Sequence, residues 1–147
     1  MVKAVPKKKK LDSLTKLKGK LDTIFSQYIR ISHADDYGYC TCYTCGAVLH
    51  WKEIQNGHLF SRGRLGTRFD PDNCRPQCFG CNCMQKGNYQ EYFPRIIDEI
   101  GLANMELLEE NSKAEIKLDR AFYVRSIEYY KVQVNILLQA KGAFYGK

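Results

Sequence analysis

Two pairs of cysteines, Cys42-x-x-Cys45 and Cys78-x-x-Cys81, carry the most specific chemistry in the chain. A gap of two residues lets two thiolates grip one metal ion, and each pair supplies half of a tetrahedral site. Together they make a four-thiolate site for Zn2+. Because every coordination position is then filled, the zinc is expected to be structural and cannot itself activate water. Gly46, directly after the first pair, lets the knuckle bend without a Cβ clash. The competing readings are a redox pair or thiols buried as small hydrophobes. Cys40, Cys74 and Cys83 are the spares and are expected to be non-ligands; alternative registers such as Cys40 with Cys42, or Cys81 with Cys83, leave a single residue between ligands and strain a knuckle.

Thirty-two residues separate Cys45 from Cys78, more than the fifteen to twenty or so of a simple zinc ribbon. The inserted stretch includes "NGHLFSRGRLGTRFDPDN". It holds His58, a group that titrates near neutrality, with Arg62, Arg64 and Arg68 close by and Arg75 just beyond. The fork of an arginine matches phosphate oxygens bidentately. Any one of these arginines can instead be half of a surface ion pair worth at most about 1 kcal/mol, and a lone loop histidine is more often a surface or capping group. His33 and His50 lack such context and are read as structural.

These residues must be positioned by a small scaffold. A chain of 147 residues fits one compact domain. Residues 1–20 carry eight lysines against Asp12, whereas residues 21–147 carry fifteen basic and fifteen acidic side chains. The whole excess charge therefore sits in the N-terminal arm, where Lys7, Lys8, Lys9 and Lys10 suit a polyanion through counterion release. Basic tails are also often only solubilising. No apolar run is long enough for a membrane span and no secretory signal is recognisable, so a cytoplasmic protein with reduced thiols and no membrane partner is expected.

The expected organisation is a disordered basic arm at 1–10, an amphipathic helix and linker at 11–37, a metal-bound centre at 38–101 and a helical segment at 102–147. Leu14, Leu17, Leu21, Ile24, Phe25, Tyr28 and Ile31 recur at helical spacing, with Asp12 or Ser13 as cap. Lys16, Lys18, Lys20 and Arg30 take the other face. Residues 32–51 read as a short hairpin and 52–77 as loop with short strands. A short helix is expected to run to Lys86, and another to end near Gly101, with Pro94 marking its first turn or a kink. Asn104 is a cap candidate for a third helix. Asp119 caps a last one, whose packing stripe is Phe122, Ile127, Tyr130, Val134, Leu137 and Leu138 and whose stop is Gly142.

A CxxC knuckle, an insertion with a histidine, and an asparagine a few residues before "CxxCN" resemble HNH endonucleases, which are built on a zinc-stapled ββα-metal centre. More closely, "CYTCG", "NGHLFSRGRLGTRFDPDNCRPQCFGCNCMQKGN" and "YFPRIIDEIG" are similar to the phage NinG (Rap) family of recombination endonucleases. The resemblance spans about Cys42 to Gly101. It implies an α+β, treble-clef-like HNH centre flanked by N- and C-terminal helices. It implies that His58 is the general base, that Asn73 holds the histidine-bearing loop, and that Asn82 ligates a catalytic Mg2+ or Mn2+ through oxygen. Arg62, Arg64, Arg68, Arg75 and Lys86 would join the lysine arm in contacting DNA.

Many HNH enzymes carry a metal ligand immediately before the base, where this chain has Gly57. Asp70 and Asp72 are carboxylate candidates, although their place beside Pro71 and Asn73 equally suits turns and caps. The expected activity is hydrolysis of phosphodiester bonds in branched recombination intermediates such as Holliday junctions or D-loops. The rivals are a non-catalytic zinc-stabilised nucleic-acid-binding module and an HNH homing or restriction endonuclease. Two cuts at a four-way junction suggest a homodimer, with Tyr123, Tyr129 and Tyr130 as its interface.

Overall fold

A computed structural model describes residues 10–141. Lys7, Lys8, Lys9 and Gly142 lie outside them, and Lys10 is exposed. The protein is a mixed α+β fold in the order α1 (Leu14–Ser32), β1 (Tyr39–Thr41), β2 (Val48–His50), β3 (Gln55–His58), β4 (Cys74–Gln77), α2 (Tyr89–Ile100), α3 (Leu102–Lys113) and α4 (Arg120–Ala140). Strands β1 and β2 pair antiparallel, as do β3 and β4, with Gly57 opposite Arg75 and His58 opposite Cys74.

Helix α1 begins where the Ser13 hydroxyl accepts from the Lys16 N–H, a cap worth about 1 kcal/mol. Its apolar stripe, Leu17, Leu21 and Phe25, packs on Tyr123, Ile127 and Tyr130 of α4. Each such side chain removed from water contributes roughly 1.5–3 kcal/mol. Asp119 caps α4 by accepting from the Phe122 N–H at 2.8 Å. Tyr123 and Tyr130 are buried in this contact, so of the three tyrosines proposed for an interface only Tyr129 stands exposed. A helix with 3.6 residues per turn brings positions 123, 127, 130 and 134 to one face, which is the face α1 covers. Arg30 is likewise drawn off the solvent face, donating from Nη1 to the Trp51 carbonyl at 2.7 Å.

Helix α2 continues through Pro94, which lies inside it and not in its first turn. Pro94 and Gln90 are both exposed, which leaves the carbonyl that the proline cannot bond open to water. Gly101, at φ +84°, ends α2 and lets α3 start at Leu102. Asn104 therefore lies inside α3, and its Nδ2 donates back to the Ile100 carbonyl at 2.8 Å instead of capping. Tyr92 and Ile96 of α2 meet Met105 and Leu108 of α3 over Leu59 in a separate core.

Candidate metal centre and adjoining cleft

The hairpin and the segment after β4 bring the two cysteine pairs together. The Sγ atoms of Cys42, Cys45, Cys78 and Cys81 all lie within 4.8 Å of one another. Those of Cys45 and Cys78 are 3.7 Å apart, close to the edge of about 3.8 Å of a tetrahedron with 2.3 Å zinc–sulfur bonds. The four are placed to hold a structural metal such as zinc. Gly46 takes φ +81° to close the first knuckle, and the Cys78 N–H points at Cys42 Sγ at 3.3 Å. Burial works to raise the Cys42 thiol, but the backbone N–H groups of Cys78, Cys45 and Thr44 outweigh it and hold the group at about 6. At Cys45 the Ala47 N–H favours the thiolate, yet the neighbouring sulfurs of Cys42, Cys78 and Cys81 push it up to about 12. Four thiolates share this space only with a cation among them. Cys40 and Cys74 are buried and Cys83 is exposed, and none of the three belongs to the four-sulfur group.

Buried polar side chains complete the centre. Gln77, fully buried, donates from Nε2 to Thr44 Oγ1 at 3.0 Å and to the Gly87 carbonyl at 2.8 Å. It thereby ties the first knuckle to the chain beyond the second. A Cβ on Gly57 would overlap the Gln77 side chain. Glycine stands before His58 because that space is taken, so no metal ligand fits there. After Cys78 the chain makes one wide helical turn, Gly80–Met84, in which the Gln85 N–H reaches the Gly80 carbonyl. That turn carries Asn82, whose Nδ2 donates to Gln55 Oε1 at 2.8 Å.

The inserted loop between β3 and β4 is held from inside by Asn73. Its Oδ1 accepts from the Phe60 N–H at 2.8 Å, and its Nδ2 donates to the carbonyls of Phe60 and Thr67. His58, at the end of β3, donates from Nε2 to the Arg68 carbonyl at 3.0 Å. A carbonyl only accepts, so this bond puts the proton on Nε2 and the lone pair on Nδ1. Burial, aided by the charges of Arg62 and Arg68, holds the imidazole below its ordinary value and therefore neutral at pH 7.

His58 and Asn82 line one cleft of about 1020 Å³, together with Asp22 and Arg30 of α1, Glu53, Gln55, Arg62 and Lys86. The other arginines behave differently from expectation. Arg75 is only 5 % exposed and is bound to Glu99 at 2.8 Å and to the carbonyls of Pro71 and Cys74, so its guanidinium is not offered to phosphate. Arg68 is paired with both oxygens of Asp22, at 2.8 and 2.6 Å. Arg64, exposed, reaches the Ser112 carbonyl at 3.4 Å and does not line the cleft. Asp70 and Asp72 sit in a turn, where Asp70 accepts from the Asp72 N–H. The carboxylates that do line the cleft are Asp22 and Glu53. Neither stands near the motifs in sequence in a way that marks it, and Asp22 meets its partner Arg68 across 46 positions.

Fold and centre together define a small α+β protein assembled around a four-cysteine metal site with a polar cleft beside it. Residues 2–139 match the family model described as bacteriophage lambda NinG protein, and the chain belongs to that family. No curated protein and no solved structure matches it. Among the described residues no helix is long and apolar enough to cross a membrane.

Proposed function

We propose that the chain is a metal-dependent DNA endonuclease that cuts branched recombination intermediates, Holliday junctions or D-loops, with its active site in the cleft between His58 and Asn82. Membership of the NinG family points to a role in phage recombination. The order β3, β4, helical turn, with the turn stapled by cysteines, is compatible with an HNH-type ββα-metal centre. The observation that carries the reading is the state of His58, a neutral imidazole oriented by the Arg68 carbonyl with Nδ1 left to take a proton from water.

In this reading the water attacks a phosphodiester phosphorus while Arg62 and Lys86, both exposed on the cleft, meet the phosphate oxygens. Asn82 spends its Nδ2 on Gln55, which leaves its Oδ1, a hard oxygen donor, for a cation. Together with the Glu53 carboxylate on the same cleft, it would hold Mg2+ or Mn2+, with water and phosphate oxygens completing the shell. That cation would stabilise charge on the phosphoryl and leaving oxygens. The substrate is recognised by its charge and its branch, and two copies of the chain would make the paired cuts of a four-way junction.

The test is cleavage of synthetic four-way junctions and matched linear duplexes in Mg2+ and in Mn2+. His58→Ala is expected to lower the single-turnover rate about 100-fold or more while junction binding persists. Equal cutting by this variant, or none by the wild type in either metal, would leave the zinc-stabilised DNA-binding module as the better account.

A further inference from the structure

We propose that Asp22, on α1, is a positioning residue for His58, acting through the arginine whose main chain orients the imidazole; as a catalytic role it rests on the nuclease reading above. The chain of contacts is short. Asp22 grips Arg68 with both carboxylate oxygens, at 2.8 Å to Nε and 2.6 Å to Nη2. The remaining Nη1 of Arg68 donates to the Arg62 carbonyl at 2.6 Å, which folds the loop back on itself. The main-chain oxygen of the same Arg68 receives the Nε2 proton of His58 at 3.0 Å.

All three nitrogens of the Arg68 head are therefore engaged in holding its backbone, and that backbone is what selects the His58 tautomer. The pair is largely shielded, with side-chain exposures of 13 % for Arg68 and 19 % for Asp22. A bidentate carboxylate–guanidinium pair in such a place is geometrically demanding as well as attractive. Burial works against the Asp22 charge, but the two guanidiniums of Arg68 and Arg62 outweigh it and keep the carboxyl below its ordinary value. Tyr123, packed against Phe69 from α4, faces the same pair.

Asn73 fastens the loop from within, and Asp22 fastens it from a different element of the fold. Asp22 also restrains Arg62, whose Nη2 lies 3.2 Å from Oδ2 while the side chain is 58 % exposed. One acid thus does two opposing things in the cleft. It orients the base, and it masks positive charge that DNA would otherwise meet. A residue that merely supported the fold would link these effects in the same direction; a positioning residue separates them.

The experiment compares wild type with Asp22→Asn, which keeps size and one acceptor oxygen but removes the charge. In the variant the single-turnover cutting rate at saturating junction is expected to fall roughly 10- to 100-fold, the scale of a misplaced reacting group. Junction affinity is expected to stay level or tighten as Arg62 is released. Long-range nitrogen NMR of His58 is expected to show the Nε2–H tautomer in the wild type and a mixture in the variant. Three outcomes would overturn the proposal: an unchanged His58 tautomer, a rate loss that only mirrors weaker DNA binding, or a half-saturating Mg2+ concentration raised about tenfold, as for a lost metal ligand. Because the NMR arm does not depend on turnover, a wild type that fails to cut would count against the nuclease reading while the positioning of His58 is still decided.

Discussion

Where α1 crosses α4 the buried groups are rings and aliphatic chains, Leu17, Leu21 and Phe25 against Tyr123, Ile127 and Tyr130. Around the cysteine knuckles and β3–β4 the buried set instead includes Thr44, Thr67, Asn73, Arg75 and Gln77. The helical pair is held by area removed from water, which is non-directional and tolerates modest repacking. The centre is held by bonds that exist in one geometry only, and a buried polar group that loses its partner costs the full desolvation of that group. The directional bonds are concentrated beside the polar cleft, and helix α1 supplies part of its wall through Asp22 and Arg30.

The comparison is broken most severely by removing the metal. Cys42→Ser or Cys78→Ser is expected to abolish bound zinc and melt the centre, a loss on the order of 10 kcal/mol of metal-linked folding free energy. Cys83→Ser should do neither. Elemental analysis is expected to find one zinc per chain in wild type and Cys83→Ser, and none in the first two. Far-UV circular dichroism should retain part of the helical signal from α1 and α4 in all of them. Complete loss of helicity along with zinc would show that the two regions fold as one unit.

The reciprocal change is smaller. Ile127→Ala opens the α1–α4 contact at a buried side chain that touches no ligand cysteine, and is expected to cost about 2–5 kcal/mol. Denaturant unfolding would measure it, with the zinc stoichiometry unchanged. Parallel loss of zinc would contradict the division drawn here.

The same division explains what could be seen in the sequence. The helical pair is legible because Leu17, Leu21 and Phe25 repeat with the period of a helix, and the metal cluster because the spacing Cys-x-x-Cys is itself the geometry of a knuckle. The roles of the arginines are not legible in that way. Arg75 and Arg68 look alike as members of one basic loop, but their partners Glu99 and Asp22 lie 24 and 46 positions away, and no local pattern encodes such a pairing. Tyr123 falls outside the expected stripe because Phe122, its neighbour, is apolar too, and only the docking of α1 decides between them. Asn104 is a good cap residue, but Gly101 can adopt a positive φ and starts α3 earlier. The glycine before His58 has its reason in Gln77, twenty positions on and across the sheet.

The mildest probe of the polar centre is acid. The folded-state value of His58 lies below its ordinary 6.5, first because burial disfavours the imidazolium and then because Arg62 and Arg68 repel it. Between that depressed value and 6.5 the unfolded chain binds more protons than the folded one, so stability is whole above about pH 6.5 and declines as pH falls through this window. Asp22 shifts in the carboxylate sense: its depressed value makes its contribution present above the ordinary aspartate range and lost only at lower pH, as the pH falls through the folded value. The histidine's contribution should therefore begin to fall at a higher pH than that of the acid that helps to orient it. His58→Gln, which cannot titrate, is expected to flatten the first part of the stability–pH curve measured by urea unfolding and to leave the more acidic part in place. On the nuclease reading, wild-type cutting should persist to a lower pH than a solvent-exposed imidazole would allow, because the base stays neutral there. A stability curve unchanged by this substitution would show that the burial of His58 is not linked to protonation, and that the polar centre tolerates a charge where its geometry says it should not.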